Sequence, residues 1–286
     1  MRVIILTGPT ASGKTALALQ MAETLKGEII NADSMQIYQH LPILTACPSL
    51  AEKATIPHHL YQVLGDQEIS SAGWWVSQAV QQIEAVQARQ HVPIIVGGTG
   101  MYLKSLIDGL SAIPMIPSEI RQKARQLAQQ PDFYNQVVSL DPKIDGRLKE
   151  NDLQRLTRAY EVKMATGRSI IDWQADKPQP LPYQFEKIAL MPDKDWLHDR
   201  INRRFELMIE QGAMEEVNDL MQRDIRPDSP ILRAVGVKEL SAYLRKELIL
   251  AQAIERAKIA TRQYAKRQMT WLRGHAKDYE VRHVGP

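Results

Sequence analysis

The stretch MRVIILTGPTASGKTALALQ, residues 1–20, decides the fold of this chain. Val3–Leu6 is a continuous apolar run that ends at a glycine and a proline, as expected of a strand buried on both faces. The residues from Gly8 to Thr15 place four residues between two glycines and end in a lysine and a hydroxyl residue. Helical periodicity then continues from Lys14 to Leu25. A buried strand, a glycine-rich loop and a helix in this order are the setting of a phosphate-binding P-loop.

The residue types of this loop suit the phosphates of a bound ligand, as in nucleotide-binding and ATP-binding proteins. Glycines let the backbone turn its amides inward around an anion, and Lys14 can reach the terminal phosphate oxygens. Thr15 is the expected ligand of a magnesium ion. A P-loop indicates a polyphosphate but not ATP hydrolysis. The predicted phosphate-binding residues are Gly8, Pro9, Thr10, Ala11, Ser12, Gly13, Lys14 and Thr15.

Strands and helices alternate along roughly the first hundred residues, which predicts an α/β fold with a doubly wound parallel sheet. Further strands are predicted at Glu28–Asn31, near His59–Leu64 and at Pro93–Val96, with a helix at 71–89. Ligands bind such sheets at the carboxyl ends of the strands. The segments that follow the strands are therefore expected to converge on one pocket.

The pattern changes between residues 115 and 182, where prolines flank a helical stretch without a convincing strand. We predict a helical insertion domain at 115–182, able to clamp a substrate, and a core domain of residues 1–114 and 183–286. Phe185–Leu190 is expected to return as a strand of the core. From about residue 195 the periodicity predicts a helical C-terminal part.

Two polar residues follow the predicted strands. Asp33 can accept a proton from a nucleophile beside bound phosphate, or it can merely cap the next turn. Thr99 can bind phosphate or substrate, or cap the following helix. No acid follows Pro93–Val96, where phosphoryl-transfer enzymes commonly hold magnesium, and Gly97-Gly98-Thr99 stands there instead. This weakens the interpretation as a phosphoryl-transfer enzyme and suits a pyrophosphate leaving group.

The composition is that of an ordinary globular protein, with 44% hydrophobic and 24% charged residues. The single cysteine, Cys47, excludes an internal disulfide and fits a reducing compartment. No apolar stretch approaches the roughly 18 residues of a membrane span. We expect a cytoplasmic protein without membrane contact.

Positive charge is concentrated at the C-terminal end. Residues 251–286 carry eight Lys/Arg and three Asp/Glu, whereas the rest of the chain carries 28 and 30. On a helical wheel, four cations fall within an arc of roughly 80°, and these are Lys258, Arg262, Lys266 and Arg273. No acid lies between the first and the last of them, which favours contact with a phosphate backbone over a solvated face.

Several segments together make the chain recognisable. They include Asp-Ser-Met-Gln-Ile-Tyr (33–38), Pro-His-His-Leu (57–60), Val-Gly-Gly-Thr-Gly-Met-Tyr (96–102), Asn-Asp-Leu-Gln-Arg-Leu-Thr-Arg-Ala-Tyr-Glu-Val (151–162), Leu-Arg-Ala-Val-Gly (232–236) and Thr-Arg-Gln-Tyr-Ala-Lys-Arg-Gln-Met-Thr-Trp-Leu-Arg (261–273). With the P-loop, they stand in the order found in the bacterial-type tRNA dimethylallyltransferase family, also called isopentenyl-diphosphate:tRNA transferases. The chain resembles this family over nearly its whole length.

The resemblance implies a prenyl transfer from dimethylallyl pyrophosphate to an adenosine just 3′ of the anticodon of tRNA. Asp33 would accept a proton from the exocyclic amine, Thr99 would lie beside the substrate, and pyrophosphate would leave toward Lys14 and Mg²⁺. The tRNA anticodon loop is then the expected partner of a monomeric enzyme. The implied tRNA-binding residues are Asp33, Ser34, Met35, Gln36, Thr99, Arg121, Gln154, Arg155, Leu156, Thr157, Arg158, Arg233, Arg262 and Lys266.

The chain departs from the family at several positions outside the P-loop and Asp33. Cys47 replaces a usual lysine, Gln62 a usual aspartate and Val237 a usual tyrosine. These departures put details of the tRNA fit and local packing in question. A prenyltransferase of free adenine nucleotides, a small-molecule P-loop kinase and a non-catalytic RNA-binding regulator remain alternatives.

Overall fold

The computed structural model describes residues 2–176 and 180–285, and they contain a six-stranded sheet. The strands are β1 (Arg2–Thr7), β2 (Gly27–Asn31), β3 (His58–His59), β4 (Val92–Gly97), β5 (Gln184–Pro192) and β6 (Glu280–Val284). They lie in the order β3-β2-β4-β1-β5-β6, and every pair is parallel. The α/β fold with a doubly wound parallel sheet is confirmed.

Helices connect the strands and form most of the second half of the chain. In chain order they are α1 (Lys14–Leu25), α2 (Leu50–Thr55), α3 (Ala72–Ala88), α4 (Gly100–Asp108), α5 (Ser118–Leu127), α6 (Phe133–Leu140), α7 (Leu153–Thr166), α8 (Ile170–Ala175), α9 (Lys194–Glu210), α10 (Ala213–Met221), α11 (Val237–Leu244) and α12 (Leu250–His275). Short 3₁₀ turns lie at Pro142–Ile144 and Pro230–Arg233.

The chain divides into two compact units, Met1–Ile107 with Pro182–Pro286 and Asp108–Leu181. The first contains the sheet, and the described residues of the second contain α5 to α8 and no strand. Phe133, Leu156 and Tyr160 pack in the apolar core of the second unit. Residues 177–179, within the predicted insertion, and Met1 and Pro286, at the ends of the predicted core domain, lie outside the described residues.

Both faces of the sheet are covered, which explains why its strands read as continuous apolar runs. Ile4 and Leu6 of β1 pack with Ala18 of α1, and Val3 and Ile5 on the other face are also fully buried. A second cluster forms among α9, α10, α11 and α12 and the segment after β2, with Ile37, Leu41, Phe205, Met208 and Leu240 at its centre. This cluster fixes the helices beside the carboxyl edge of the sheet.

The structure differs from the sequence-based prediction at two strands. The strand expected near His59–Leu64 stops at His59, because Leu60 and Gln62 adopt φ angles of 61° and 55° that no strand accommodates. Conversely, β6 lies where the C-terminal part was expected to be only helical. It is a half-exposed edge strand with charged residues, so its sequence lacks the apolar run that identifies a buried strand.

Candidate functional site

The loop between β1 and α1 has the backbone of a phosphate-binding turn. Gly13 (φ 93°) and Ala11 (φ 63°) both adopt left-handed conformations. Glycine adopts this geometry without strain, and a Cβ at position 13 would meet no atom within 4 Å. Lys14 Nζ donates to the carbonyl oxygens of Gly8 (2.9 Å) and Pro9 (2.7 Å), so the lysine lies along the loop itself.

Two features of the loop fit an anion. No side chain caps the N-terminus of α1, so its first amides remain available to a ligand. The hydroxyl of Ser12 is buried and has no hydrogen-bond partner within the described residues. A buried polar atom without a partner is unfavourable, and a phosphate oxygen would satisfy it.

Asp33 and Thr99 follow neighbouring strands and are joined through Ser34. Thr99 Oγ1 accepts a hydrogen bond from the Ser34 amide at 3.0 Å. Asp33 Oδ1 accepts from the Met35 amide at 2.9 Å, which is the turn-capping role, and the carboxylate also lines a cavity. Capping and proton acceptance are therefore compatible, because a carboxylate has two oxygens.

The glycines at the end of β4 and just after it are explained by close approaches. A Cβ on Gly97 would lie 2.2 Å from the backbone of Ala32, and one on Gly100 would lie 2.3 Å from the Trp271 ring. The same is true of Gly98, which packs against Gln268. The motif 97–100 thus lets the Asp33 segment and α12 come close to the end of β4.

A cavity of about 220 Å³ opens beside these segments. Its walls combine charged groups with apolar side chains. They are Thr10, Asp33, Ser34, Met35, Leu44, Thr45, Ile201, Arg204, Phe205, Met208, Arg233, Ala234, Val235, Thr261, Tyr264 and Arg267. All of these residues belong to the sheet-containing unit. Charged and apolar lining residues together suit a ligand that is part phosphate and part hydrocarbon.

Cations outnumber anions at this cavity. Burial lowers the pKa of Lys14 to about 8, and nearby Arg204 lowers it further while Asp33 opposes the shift. Burial also lowers the pKa of Arg204 to about 10, with the charge of Arg200 acting in the same direction. Asp33 is the single carboxylate among the residues that line the cavity. The net positive potential favours a polyanion.

Sequence reasoning did not identify the residues that α9 and α12 bring to the loop. Arg204 donates to Thr10 Oγ1, and Arg200 Nε donates to the Ala11 carbonyl at 3.0 Å. Gln268 of α12 accepts from the Thr10 amide at 2.8 Å. The spacing of the two arginines, four residues apart on one helix face, was the available signal.

The predicted tRNA-binding residues fall on both units. Met35 and Arg233 line the cavity, whereas the side-chain amide of Gln36 donates to the carbonyls of Thr45 and Ala46 and holds that loop in place. Arg121 is exposed on α5 of the second unit.

The prediction that Leu156 binds tRNA is wrong for its side chain. Leu156 is fully buried in the core of the second unit, so its side chain cannot contact RNA. Leu156 belongs to the family segment because its side chain packs α7 against the core of the second unit. Gln154 and Arg155 are exposed on the same helix, Thr157 is partly exposed, and Arg158 pairs with Glu161 at 3.1 Å.

The basic stripe of α12 is partly neutralised. Lys258 pairs with Glu206 of α9, and Arg262 contacts Asn202 and Glu255. Glu206 and Asn202 lie on α9, which a helical wheel of α12 does not show, and Glu255 lies on α12 itself, before the first cation of the stripe. Lys266 and Arg273 are exposed, and within the described residues they form no ion pair.

The departures from the family pattern are accommodated locally. Gln62 stands where the family usually has an aspartate, and its Oε1 accepts a hydrogen bond from Lys53 Nζ. A carboxylate is not needed for this contact. Val237 is buried in the cluster of α9 to α12. Burial raises the pKa of the Cys47 thiol to about 11, so the thiol is unreactive at neutral pH.

A metal ion at this site would have few protein ligands. Thr15 is exposed in the first turn of α1. No group of three or more His, Cys, Asp or Glu side chains capable of holding a metal occurs in residues 2–176 and 180–285. Over the same residues, no helix has the length and apolar character to span a membrane.

Comparison with known proteins gives one consistent result. A family model described as IPP transferase matches residues 36–275. The tRNA dimethylallyltransferase of Parvibaculum lavamentivorans is 44% identical over 275 residues, covering 95% of this chain and 88% of that protein. That of Cereibacter sphaeroides is 45% identical over 284 residues, covering 98% and 96%.

Solved structures agree with the sequence matches. The tRNA isopentenylpyrophosphate transferase of Bacillus halodurans superimposes with a TM-score of 0.73 at 31% identity, covering 99% of this chain and 90% of that one. A eukaryotic dimethylallyltransferase acting on tRNA gives a TM-score of 0.86 at 29% identity, with coverage of 99% and 73%.

Proposed function

The chain belongs to the IPP transferase family, and from this premise we propose that it transfers a dimethylallyl group from dimethylallyl pyrophosphate to tRNA. The acceptor is the exocyclic amine of the adenosine 3′ of the anticodon, and pyrophosphate is released. One observation carries the proposal: Thr10 of the P-loop, the carboxylate of Asp33 and several apolar side chains line the same cavity. The buried hydroxyl of Ser12 in the same loop has no partner within the described residues.

The reacting groups of the chain have distinct roles in this step. The nitrogen of the amine attacks the allylic carbon and forms the C–N bond. The C–O bond to pyrophosphate breaks, and its electron pair leaves with the pyrophosphate oxygen. Asp33 accepts the proton that the amine loses. The loop amides and Lys14 stabilise the negative charge that develops on the leaving group.

Other residues bind and orient. Thr99 holds the Asp33 segment through the Ser34 amide, which positions the carboxylate. The apolar wall, including Leu44, Phe205 and Met208, is suited to the dimethylallyl chain and excludes water from the allylic carbon. Exclusion of water matters because water would compete with the amine.

A magnesium ion fits this donor set. Thr15 would hold it together with oxygens of the pyrophosphate, as expected where protein carboxylates are few. When bound, the ion neutralises charge on the leaving group.

The tRNA contacts are assigned to both units. Asp33–Gln36, Thr99 and Arg233 would contact the acceptor adenosine and its neighbours. From the second unit, the contacts would come from Arg121, Gln154, Arg155, Thr157 and Arg158. Arg262 and Lys266 would contact the tRNA backbone. An anticodon loop is already single-stranded, so an adenosine leaves its stack at low cost.

Two further proposals concern the oligomeric state and the location of the protein. We infer that the enzyme is a monomer. The tRNA substrate supports the expected cytoplasmic location.

The test is a purified-protein reaction with labelled dimethylallyl pyrophosphate, magnesium and an anticodon stem-loop RNA. We expect label on the adenosine 3′ of the anticodon, without any need for ATP. AMP in place of RNA should remain unlabelled. Labelling of AMP alone would instead support a nucleotide prenyltransferase, and ATP-dependent phosphorylation of a small metabolite would support a kinase.

A further inference from the structure

A second cavity, of about 630 Å³, adjoins the cavity of about 220 Å³ that Asp33 lines. The segment 42–48 contributes to both. Leu44 and Thr45 line the first cavity, whereas Ile43 and Ala46 line the second. This segment therefore forms part of the wall between the two cavities. All residues that line the second cavity belong to the sheet-containing unit.

Helix α9 forms another part of this wall. Ile201 and Phe205 line the first cavity, and Leu207 lines the second. Arg204 and Met208 line both, and because they are four positions apart they share one face of the helix. Among the described residues, Met208 is thus the one apolar side chain that borders both cavities.

The backbone part of the wall is fixed by hydrogen bonds. Gln36 Nε2 donates to the carbonyls of residues 45 and 46 at 2.9 and 2.8 Å. The Glu216 carboxylate accepts from the amides of residues 43 and 44 at 2.8 and 3.0 Å. Met208 is held by apolar packing instead, and a methionine side chain is unbranched and adaptable. The size of this side chain therefore decides whether the two cavities are separate.

The second cavity is suited to hydrocarbon. Two large apolar side chains that line it remain exposed, Leu50 at 86% and Leu207 at 51%. Exposed apolar surface beside a cavity is typical of a binding site for an apolar group. Two of the polar residues in its lining are bonded to each other, because Lys53 donates to Gln62. A hydrocarbon chain could enter this cavity without breaking that contact.

We propose that Met208 limits the transferred prenyl group to five carbons by closing the first cavity against the second. The proposal rests on the proposed function, in which the apolar wall that includes Met208 receives the dimethylallyl chain. A geranyl chain has five more carbons. Met208→Ala removes only three heavy atoms, but it would join the two cavities and give those carbons room. The reaction itself is unchanged: the amine attacks the allylic carbon and pyrophosphate leaves.

The test compares dimethylallyl pyrophosphate with geranyl pyrophosphate as donors to an anticodon stem-loop RNA in single-turnover reactions. We expect Met208→Ala to raise the ratio of the geranyl rate to the dimethylallyl rate by about 10-fold or more, on the scale of discrimination by an apolar pocket. Met214→Ala is the control, because Met214 packs against the same apolar cluster but lines neither cavity. It should keep the wild-type ratio.

Three further variants sharpen the test. Met208→Leu nearly conserves the side-chain volume and should keep the wild-type ratio. Met208→Val is a smaller truncation and replaces the alanine variant should that one fail to fold. Adding Leu207→Trp to Met208→Ala refills the second cavity and should remove the gain. An unchanged ratio in Met208→Ala and Met208→Val would overturn the proposal, as would equal rates with both donors in the wild type.

Binding separates this proposal from the proposed function. Calorimetry with each donor and magnesium, without RNA, should show that Met208→Ala strengthens binding of geranyl pyrophosphate relative to dimethylallyl pyrophosphate. This shift in a protein whose wild type leaves RNA without a prenyl group would contradict the proposed function and support the role of Met208. A wild type that prenylates RNA, with no shift in Met208→Ala, would contradict the role of Met208 alone.

Discussion

Gln268 occupies the space that any side chain on Gly98 would need. A Cβ at position 98 would lie 2.1 Å from Gln268 Nε2, the atom that donates to the Gly98 carbonyl at 3.1 Å. The other end of the same amide accepts from the Thr10 amide of the P-loop. One side chain of α12 therefore ties the loop after β1 to the loop after β4.

Gly98→Ala should displace Gln268 and loosen the P-loop. Overpacking of this kind destabilises by about 1–3 kcal/mol, and we expect weaker pyrophosphate binding together with a lower melting temperature. Gly274→Ala is the control, since a Cβ there meets nothing within 4 Å on α12. Equal effects of the two substitutions would show that the contact of Gln268 is unimportant.

Asp33→Asn tests the proton acceptor. Asparagine can still accept from the Met35 amide, so the turn should persist, but it cannot take the proton of the amine. We expect a fall of at least about 100-fold in the single-turnover rate, with little change in tRNA affinity. A near-normal rate would leave Asp33 as a turn cap.

Lys266 and Lys258 offer a matched pair for the tRNA backbone. Lys266→Gln should weaken tRNA binding and reduce the slope of log K against log salt by about one, since each phosphate contact releases counterions. Lys258 lies on the same helix as Lys266 but is paired with Glu206 of α9, so Lys258→Gln should change the slope less. A larger effect at Lys258 would contradict the assignment of Lys266. Affinities over a salt series measure both.

Glu28 should make the fold sensitive to acid. Its carboxylate is buried at the start of β2, contacts His59 and His91, and pairs with Arg89 at 2.7 Å. The Arg89 hydrogen bond chiefly lowers the pKa of Glu28 to about 2 from the ordinary 4.5. A depressed carboxylate pKa adds stability above pH 4.5 that is lost as the pH falls toward 2.

Glu28→Gln should remove this pH-dependent part. We expect it to cost on the order of 2 kcal/mol at neutral pH and to flatten the loss of stability between pH 4.5 and 2 in urea denaturation. Glu186→Gln is the control, because Glu186 forms an exposed pair with Arg2. An unchanged acid transition in Glu28→Gln would locate the sensitivity elsewhere.

Local patterns were enough to predict most of the fold. The apolar run of β1 and the glycines of the P-loop can each be recognised within a few consecutive residues. β3 and β6 were harder, because one depends on backbone angles after His59 and the other is a charged edge strand.

The candidate site was predictable only where it lies at the ends of strands. Asp33 and Thr99 follow predicted strands, so the rule for parallel sheets placed them together. Gln268 and Thr10 are 258 positions apart, and Arg204 and Thr10 are 194 apart. Such contacts depend on helix packing, which periodicity does not specify. The Glu206 partner of Lys258 was missed for the same reason.

The sheet order has a consequence for synthesis on the ribosome. β1 is made first, yet it lies between β4 and β5, and its Val3 pairs with Phe185. Until the region around residue 190 has emerged, one edge of this strand, with its apolar run Val3–Leu6, lacks its neighbour. Unpaired edges of this kind promote association between nascent chains. The second unit lies between β4 and β5 in the sequence. The edge of β1 that pairs with β5 therefore stays unpaired while the whole second unit is synthesised.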